Sequence, residues 1–434
     1  MIKRGVIMKK KLTLGLASAL IASALTGCGE EEAVQVNVIL PEEGTVYSAA
    51  EESALPVGGD AEETTTAVTT AETTTVTTEP PEVWETVSFA ATGDNLIHSS
   101  IYKQAAARSA DGGYDFAYAY ENVTSLIEEA DIAVINQETL ICNDQFEPST
   151  YPCFNSPTAL GNHMIDIGFD VFTIANNHTL DKGVSGLNAC LDYWGTKDVT
   201  VAGAYRNAED KANIRTNEVN GVTFSYLAYT ESLNGLRLPE GSELVIGDAL
   251  DIDGMKEDIK AAEEISEVCI VSLHWGVENS DVISDYQRTT AKILAEAGAD
   301  VIIGNHPHVL RDIEMIERED GSRALCAYSL GNFISAQSVG QNLIGGVLQF
   351  NVSALVSGEE EAQPVISDVK LIPIVTHYDG NYSNVRIYPL SQYTPELAAA
   401  HGVNSMSVFG YDYIFNVLEK NISSEYLVLP EKAE

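Results

Sequence analysis

Apolar positions in this chain gather in short runs, and most runs close on a polar cluster. Runs of about four to eight apolar residues bounded by turn signals read as buried strands. That pattern predicts strands over 86–92, 131–135, 169–174, 199–202, 222–229, 268–273 and 300–303. Longer stretches with a helical period predict helices over 115–130, 156–167, 184–196, 252–265 and 285–297. Pro157 suits a first helical turn, and Gly298 suits a helix stop. Runs at 313–317 and 324–329 flank Glu319-Asp320-Gly321-Ser322, a hairpin signal. The region 345–389 is rich in strand formers, and 406–419 reads as a last helix. Strands alternating with helices imply a layered α/β fold.

The polar residues that close the strands carry the chemistry. They are Asp94, Asn136 with Glu138, Asn177 with His178, His274, and His306 with His308. In α/β sheets, sites gather beyond the carboxyl ends of strands. The sharpest cluster is Gly304-Asn305-His306-Pro307-His308. Residues i and i+2 of extended backbone share a face, so both imidazoles can aim at one point. Pro307 stiffens the loop between them. Singly, each motif has an ordinary reading: a strand-end Asp caps a helix, an Asn-His pair serves a turn, a buried His is bonded core. Together they supply two carboxylates, two amides and four imidazoles. That mixed oxygen and nitrogen set, without thiolates, suits Mn, Fe or Zn, as one ion or two. His98 lies close after the first motif. His163, His377 and His401 lack such context and read as structural.

Charge and the chain ends change the picture. There are 24 basic against 64 acidic residues, which argues against a nucleic-acid or anionic-lipid surface as partner. Lys9, Lys10 and Lys11 precede the apolar run 12–25, which is too short for a typical spanning helix. The run ends in Leu25-Thr26-Gly27-Cys28. This is a secretory leader, read best from Met8, and its last residues resemble a bacterial lipobox with Cys28 as the lipidated thiol. Residues 29–84 form an acidic, threonine-rich spacer that buries too little apolar surface to fold. Cys190 and Cys269 sit in apolar segments and read as buried thiols. Cys142 and Cys153 flank one polar loop and are candidates for a disulfide outside the cell. The ordered part then comprises 85–340 and a C-terminal piece, 341–434, that completes the same domain.

Six motifs in order resemble the CapA-type capsule biosynthesis (poly-γ-glutamate) family of the calcineurin-like metallophosphatase superfamily. They are Thr92-Gly93-Asp94, Asn136-Gln137-Glu138-Thr139, Ala175-Asn176-Asn177-His178-Thr179-Leu180-Asp181, Ser272-Leu273-His274-Trp275-Gly276-Val277-Glu278, Gly304-Asn305-His306-Pro307-His308-Val309 and Ser329-Leu330-Gly331-Asn332-Phe333. The resemblance implies an α/β/β/α metallophosphatase-like sandwich. It places Asp94 and His308 on a first metal, Glu138 at the bridge, and Asn177, His274 and His306 on a second. It implies a catalytic group of Asn177, His178 and Asp181, with His178 as general acid or electrostatic stabiliser. Two departures stand out. The superfamily's Asp-x-His is Asp94-Asn95-Leu96 here, which removes one ligand unless His98 folds back. Its Gly-Asp-x-x-Asp is Asn136-Gln137-Glu138, one methylene longer at the bridge. The narrower expectation is a single metal on Glu138, Asn177, His274 and His306.

The leader and the resemblance together imply an exported protein, lipid-anchored on the extracytoplasmic face of the membrane. It would support metal-dependent hydrolysis or transfer on an anionic cell-surface polymer or a phosphoester. The alternative is a non-catalytic accessory lipoprotein for synthesis, export or anchoring of such a polymer; a sensor or structural lipoprotein ranks behind both. Arg311 and Lys182 are candidates to offset repulsion between an acidic protein and an acidic polymer, against an ordinary role as solvated charges.

Overall fold

The computed structural model describes residues 82–143, 145–357 and 362–432. The expected leader, Cys28 and nearly all of the spacer lie outside the described residues. Two large sheets form the body. The first has eight strands. In spatial order they are Ser383–Pro389, Val365–Asp379, Ile344–Ser357, Val83–Asn95, Ile132–Asn136, Val171–Thr173 and Thr200–Ala202. Asn332–Ile334 is the eighth and pairs in parallel with the end of Val83–Asn95. The second sheet has six strands: Leu310–Glu317, Arg323–Leu330, Val301–Asn305, Val268–His274, Val222–Thr230 and Arg215–Val219.

The layers follow from residue alternation. On Val268–His274, Val268 and Ile270 face the space between the sheets, while Cys269, Val271 and Leu273 face the helices Ile252–Glu263 and Asp285–Glu296. Val301 and Ile303 point one way and Ile302 the other. Period-two alternation with both faces apolar is what a buried strand requires. Between the sheets, Phe89 stacks on Phe350 at 4.9 Å and meets Phe224 edge-on at 5.1 Å. Each such ring buried contributes about 1.5–3 kcal/mol. On the outer face of the first sheet, Phe172 packs on Trp194 of the helix Gly183–Trp194 at 4.4 Å. The result is the expected α/β/β/α sandwich. The C-terminal strand Ile344–Ser357 runs antiparallel to Val83–Asn95, so 341–434 supplies one wing of the first sheet.

Local chemistry sets the element ends. Ser284 and Gln287 form a reciprocal capping box on the helix Asp285–Glu296. Gly298 takes φ +120° after it, where a side chain would strain the backbone. Thr158–Asp166 starts after Pro157, which sits at the N-cap rather than inside the first turn.

Several expectations need correction. The helix over 115–130 is two short ones, Ala117–Tyr120 and Thr124–Glu128. The break lies where Asn122 Nδ2 turns to the Ile387 carbonyl at 3.0 Å, tying this segment to the C-terminal strands. The last helix is Tyr411–Asn421, not 406–419. Helix Ser99–Arg108 and strand Arg215–Val219 were not anticipated. The strand reads as polar, but Asn220-Gly221 behind it is a hairpin signal, and both residues take positive φ (55° and 79°) as that turn requires. The candidate disulfide is absent: Cys142 and Cys153 are free. Cys142 follows Ile141 into the core and its thiol donates to the Gly186 carbonyl, while Cys153 faces solvent.

Candidate metal centre

The carboxyl ends of the central strands meet in one buried place. Strands Val83–Asn95 and Ile132–Asn136 run parallel with Asp94 beside Asn136, and Val301–Asn305 and Val268–His274 run parallel with Asn305 beside His274. The backbones must approach closely here. A Cβ on Gly93 would stand 1.8 Å from the Gly331 carbonyl oxygen, so only glycine fits. His306 and His308 both take positive φ, 94° and 60°, on either side of buried Pro307. Non-glycine residues rarely adopt that region, and such backbone clusters at functional sites.

Glu138 is the centre. Its side chain is fully buried, and neither Oε1 nor Oε2 has a hydrogen-bond partner. Burial, then the nearby Asp94 carboxylate, pushes its pKa well above the usual carboxylate range. A buried carboxylate with two orphaned oxygens is costly unless a cation is supplied. Each oxygen faces a different group of donors. Oε2 lies 3.8 Å from His308 Nδ1, which is 3.0 Å from Asp94 Oδ2. Oε1 lies 3.8 Å from His274 Nε2, which is 3.0 Å from His306 Nδ1 and 3.1 Å from Asn177 Oδ1. Ligand atoms of Asp94, Glu138 and His308 all fall within 4.8 Å of one another, close enough to share an ion. These residues fit a divalent cation. The compact set is Asp94, Glu138 and His308, the carboxylate-rich pole that the narrower single-metal expectation omitted, and Glu138 Oε1 turns the other way toward His274.

The electrostatics of the poles differ. Burial lowers His308, but the Glu138 and Asp94 carboxylates outweigh it and hold the pKa up at about 9. Burial, with His306 and His308 adding to it, pushes His274 well below its ordinary value. Burial, and then His308, brings His306 down to about 4. His274 and His306 therefore face the site neutral, the form that ligates metal. Asn136 steadies both poles, donating to Asp94 Oδ1 at 2.7 Å and standing 3.3 Å from His274 Nδ1.

His178 stands beside this centre with Nδ1 on Asp181 Oδ2 at 2.8 Å. Asp181 also accepts the Phe154 backbone N–H, and the Phe154 ring meets the imidazole edge-on at 4.7 Å. The imidazole is thus held by one carboxylate and one ring, with Nε2 left to act. His98 does not join the Asp94, Glu138 and His308 group: its Nδ1 meets the Ala336 N–H and the Leu96 carbonyl, each at 3.2 Å. Asn95, next to Asp94 in the departing motif, gives its amide to Gln137 and accepts from Tyr120 Oη. Arg311 is not a solvated or substrate-facing charge. It is buried and donates to the Val277 and Ser280 carbonyls and to Gln287 Oε1, clamping the loop after His274. Lys182 Nζ donates to the Cys153 carbonyl on the surface. Glu231, not anticipated from sequence, accepts the Gly276 N–H at 2.7 Å and fixes the same loop. A polar strand end at Thr230-Glu231, parallel to the others, was the available signal.

Comparison with known proteins gives the family. Residues 88–337 match the family model described as bacterial capsule synthesis protein PGA_cap. The PGA biosynthesis protein CapA of Bacillus subtilis is 31% identical over 202 residues, 46% of this chain and 51% of that protein. The capsule biosynthesis protein CapA of Bacillus anthracis is 30% identical over 194 residues, 43% of this chain and 45% of that one. The chain thus spans about half the length of these relatives. Among solved structures, NAD nucleotidase from Haemophilus influenzae aligns over 78% of this chain and 60% of its own, with TM-score 0.42 and 13% identity. A phosphatase from Mycoplasma pneumoniae aligns over 68% and 95%, with TM-score 0.41 and 12% identity. The family match covers every strand end that meets at Glu138, and this chain belongs to the bacterial capsule synthesis protein PGA_cap family.

Proposed function

We infer that this protein is an exported, lipid-anchored member of the capsule or poly-γ-glutamate machinery whose centre works with a divalent metal. The observation that carries the reading is Glu138: a buried carboxylate with both oxygens unpartnered, each facing its own set of donors. Asp94, Glu138 and His308 would hold one ion; Glu138, Asn177, His274 and His306 would hold a second. A bound divalent ion supplies Lewis acidity and activates water, chemistry suited to a phosphoester or to the backbone of an anionic polymer. The chain's own groups do the rest. Asp181 accepts at Nδ1, so the imidazolium form of His178 can give its Nε2 proton to a leaving group. Asn177 orients what binds beside it. The basic run Lys9–Lys11, the apolar stretch to Leu25 and the Leu25-Thr26-Gly27-Cys28 sequence support export and anchoring.

The test is His178→Ala in the whole protein, scored for polymer formation in cells and for metal content. The enzymatic reading expects metal retained and polymer production lost. Unchanged production with metal retained overturns it. One observation favours a non-catalytic accessory role instead. Asn95 is committed to Gln137 and Tyr120, and Leu96 stands two residues after Asp94, so the ordered strand end offers no imidazole there.

A further inference from the structure

We propose that Asn332 is a metal ligand, giving its Oδ1 to a divalent cation shared with Asp94, Glu138 and His308. The inference rests on the metal-centre reading and adds an amide oxygen to the Asp94, Glu138 and His308 pole. Asn332 begins the strand Asn332–Ile334, pairs in parallel register with Asp94, and is 1% exposed.

Hydrogen bonds fix which way its amide faces. Nδ2 lies 2.8 Å from the Asn342 carbonyl, 2.9 Å from Gln337 Oε1 and 3.1 Å from Ser335 Oγ. The Asn342 carbonyl can only accept, so the atom facing it must be the nitrogen. The oxygen is left on the other side, 3.0 Å from His308 Nδ1. Asp94 Oδ2 reaches the same nitrogen, also at 3.0 Å. Two buried acceptors therefore converge on one ring position. In the free chain a single N–H can serve both. When His308 turns that nitrogen's lone pair to a metal, Asn332 Oδ1 has no donor left, and an oxygen without one is costly in a buried site. A cation placed among Asp94 Oδ2, Asn332 Oδ1, His308 Nδ1 and Glu138 Oε2 satisfies all four atoms at once. The three bonds on Nδ2 prevent the amide from turning away.

The donor set is then three oxygens and one nitrogen. Oxygen-rich sets suit Mn2+ better than the softer environments that Zn2+ favours. A role through His308 alone, steadying its ring without touching metal, is the competing reading.

Two measurements separate these readings. The first is a crystal of the whole chain soaked in Mn2+, with the ion located by anomalous scattering. The proposal expects Asn332 Oδ1 within about 2.5 Å of an ion that also touches Asp94 and His308. An oxygen more than about 3 Å from that ion overturns it and leaves a positioning residue. The second follows free Mn2+ by electron paramagnetic resonance during titration of the wild type, Asn332→Ala and Asn332→Asp. Expected is a loss of about tenfold or more in affinity at one site for Asn332→Ala, with the other site unmoved and the aspartate variant tighter than the alanine one. Equal affinity in wild type and Asn332→Ala overturns the proposal. Absence of Mn2+ binding in the wild type brings down the metal-centre reading itself, a failure distinguishable from either of these.

Discussion

Two buried histidine clusters lie in this molecule, and they are built on opposite terms. In the C-terminal part, His377 and His401 stack edge-on at 4.8 Å. His377 Nδ1 meets Tyr393 Oη at 2.8 Å. His401 Nε2 meets the Thr376 carbonyl and its Nδ1 accepts the Val403 N–H, each at 3.0 Å. Every ring nitrogen there has a fixed protein partner or a nearby carboxylate, Asp379 at 3.4 Å. At the strand ends, imidazoles surround a carboxylate whose two oxygens have no partner. Burial alone marks both clusters equally. What distinguishes these two clusters is how their ionisable groups are partnered: the C-terminal one holds its ring nitrogens within the protein, and the strand-end one leaves a carboxylate open for a ligand.

Breaking that contrast should have its largest effect at Glu138. Glu138→Leu is expected to abolish metal binding at both poles. It should also stabilise the metal-free protein by about 1–3 kcal/mol, because the orphaned buried group is gone. Elemental analysis and thermal melting in chelator would read the two together. A metal-free variant less stable than the parent would contradict the reading of Glu138 as an unpartnered, ligand-seeking group.

The next effect is pH. His308 is held up at about 9, so below that it carries a proton that metal must displace. Apparent metal affinity should rise by about tenfold or more per pH unit between 7 and 8, because His308 and the raised Glu138 carboxyl both hold protons that metal displaces. The sign for the metal-free fold is opposite. A histidine raised from 6.5 contributes stability that is complete below 6.5 and lost as pH climbs through 9. Calorimetric titration at several pH values checks the first part, and melting in chelator the second.

A smaller effect is expected at the closed cluster. His377→Ala should cost about 1–3 kcal/mol by leaving Tyr393 Oη without its partner, and should leave metal content unchanged. Loss of metal in that variant would erase the distinction between the clusters. The smallest effect concerns the thiols. Cys153 should react with a soluble thiol reagent in the folded protein, whereas buried Cys142, Cys190, Cys269 and Cys326 should not react until it unfolds. Burial pushes Cys142 and Cys190 up to about 12, which slows them further.

Some of this is plain in the sequence and some is not. Apolar runs located the central strands, since a strand buried on both faces has a nearly continuous apolar signature, as in Val268–His274. Their polar ends point to Asp94, Glu138, His274 and His308. Arg215–Val219 was hidden because an edge strand with a polar face has no such signature, though Asn220-Gly221 pointed to its turn. The break at Asn122 has no sequence signal, because the partner of Asn122 is a backbone carbonyl in the C-terminal wing. Arg311 looked like a free charge because its partners include backbone carbonyls, which no sequence displays. The orientation of Asn332 was illegible for the same reason: Asn342 holds it through a carbonyl.

Whether the strand ends form a metal centre is tested most directly by elemental mass spectrometry. The sample is the whole chain purified without chelator, beside a His306→Ala, His308→Ala double variant. A metal centre predicts near-stoichiometric divalent metal in the parent, with the ratio telling one ion from two, and its loss in the double variant. A correctly folded parent that carries no metal would contradict it.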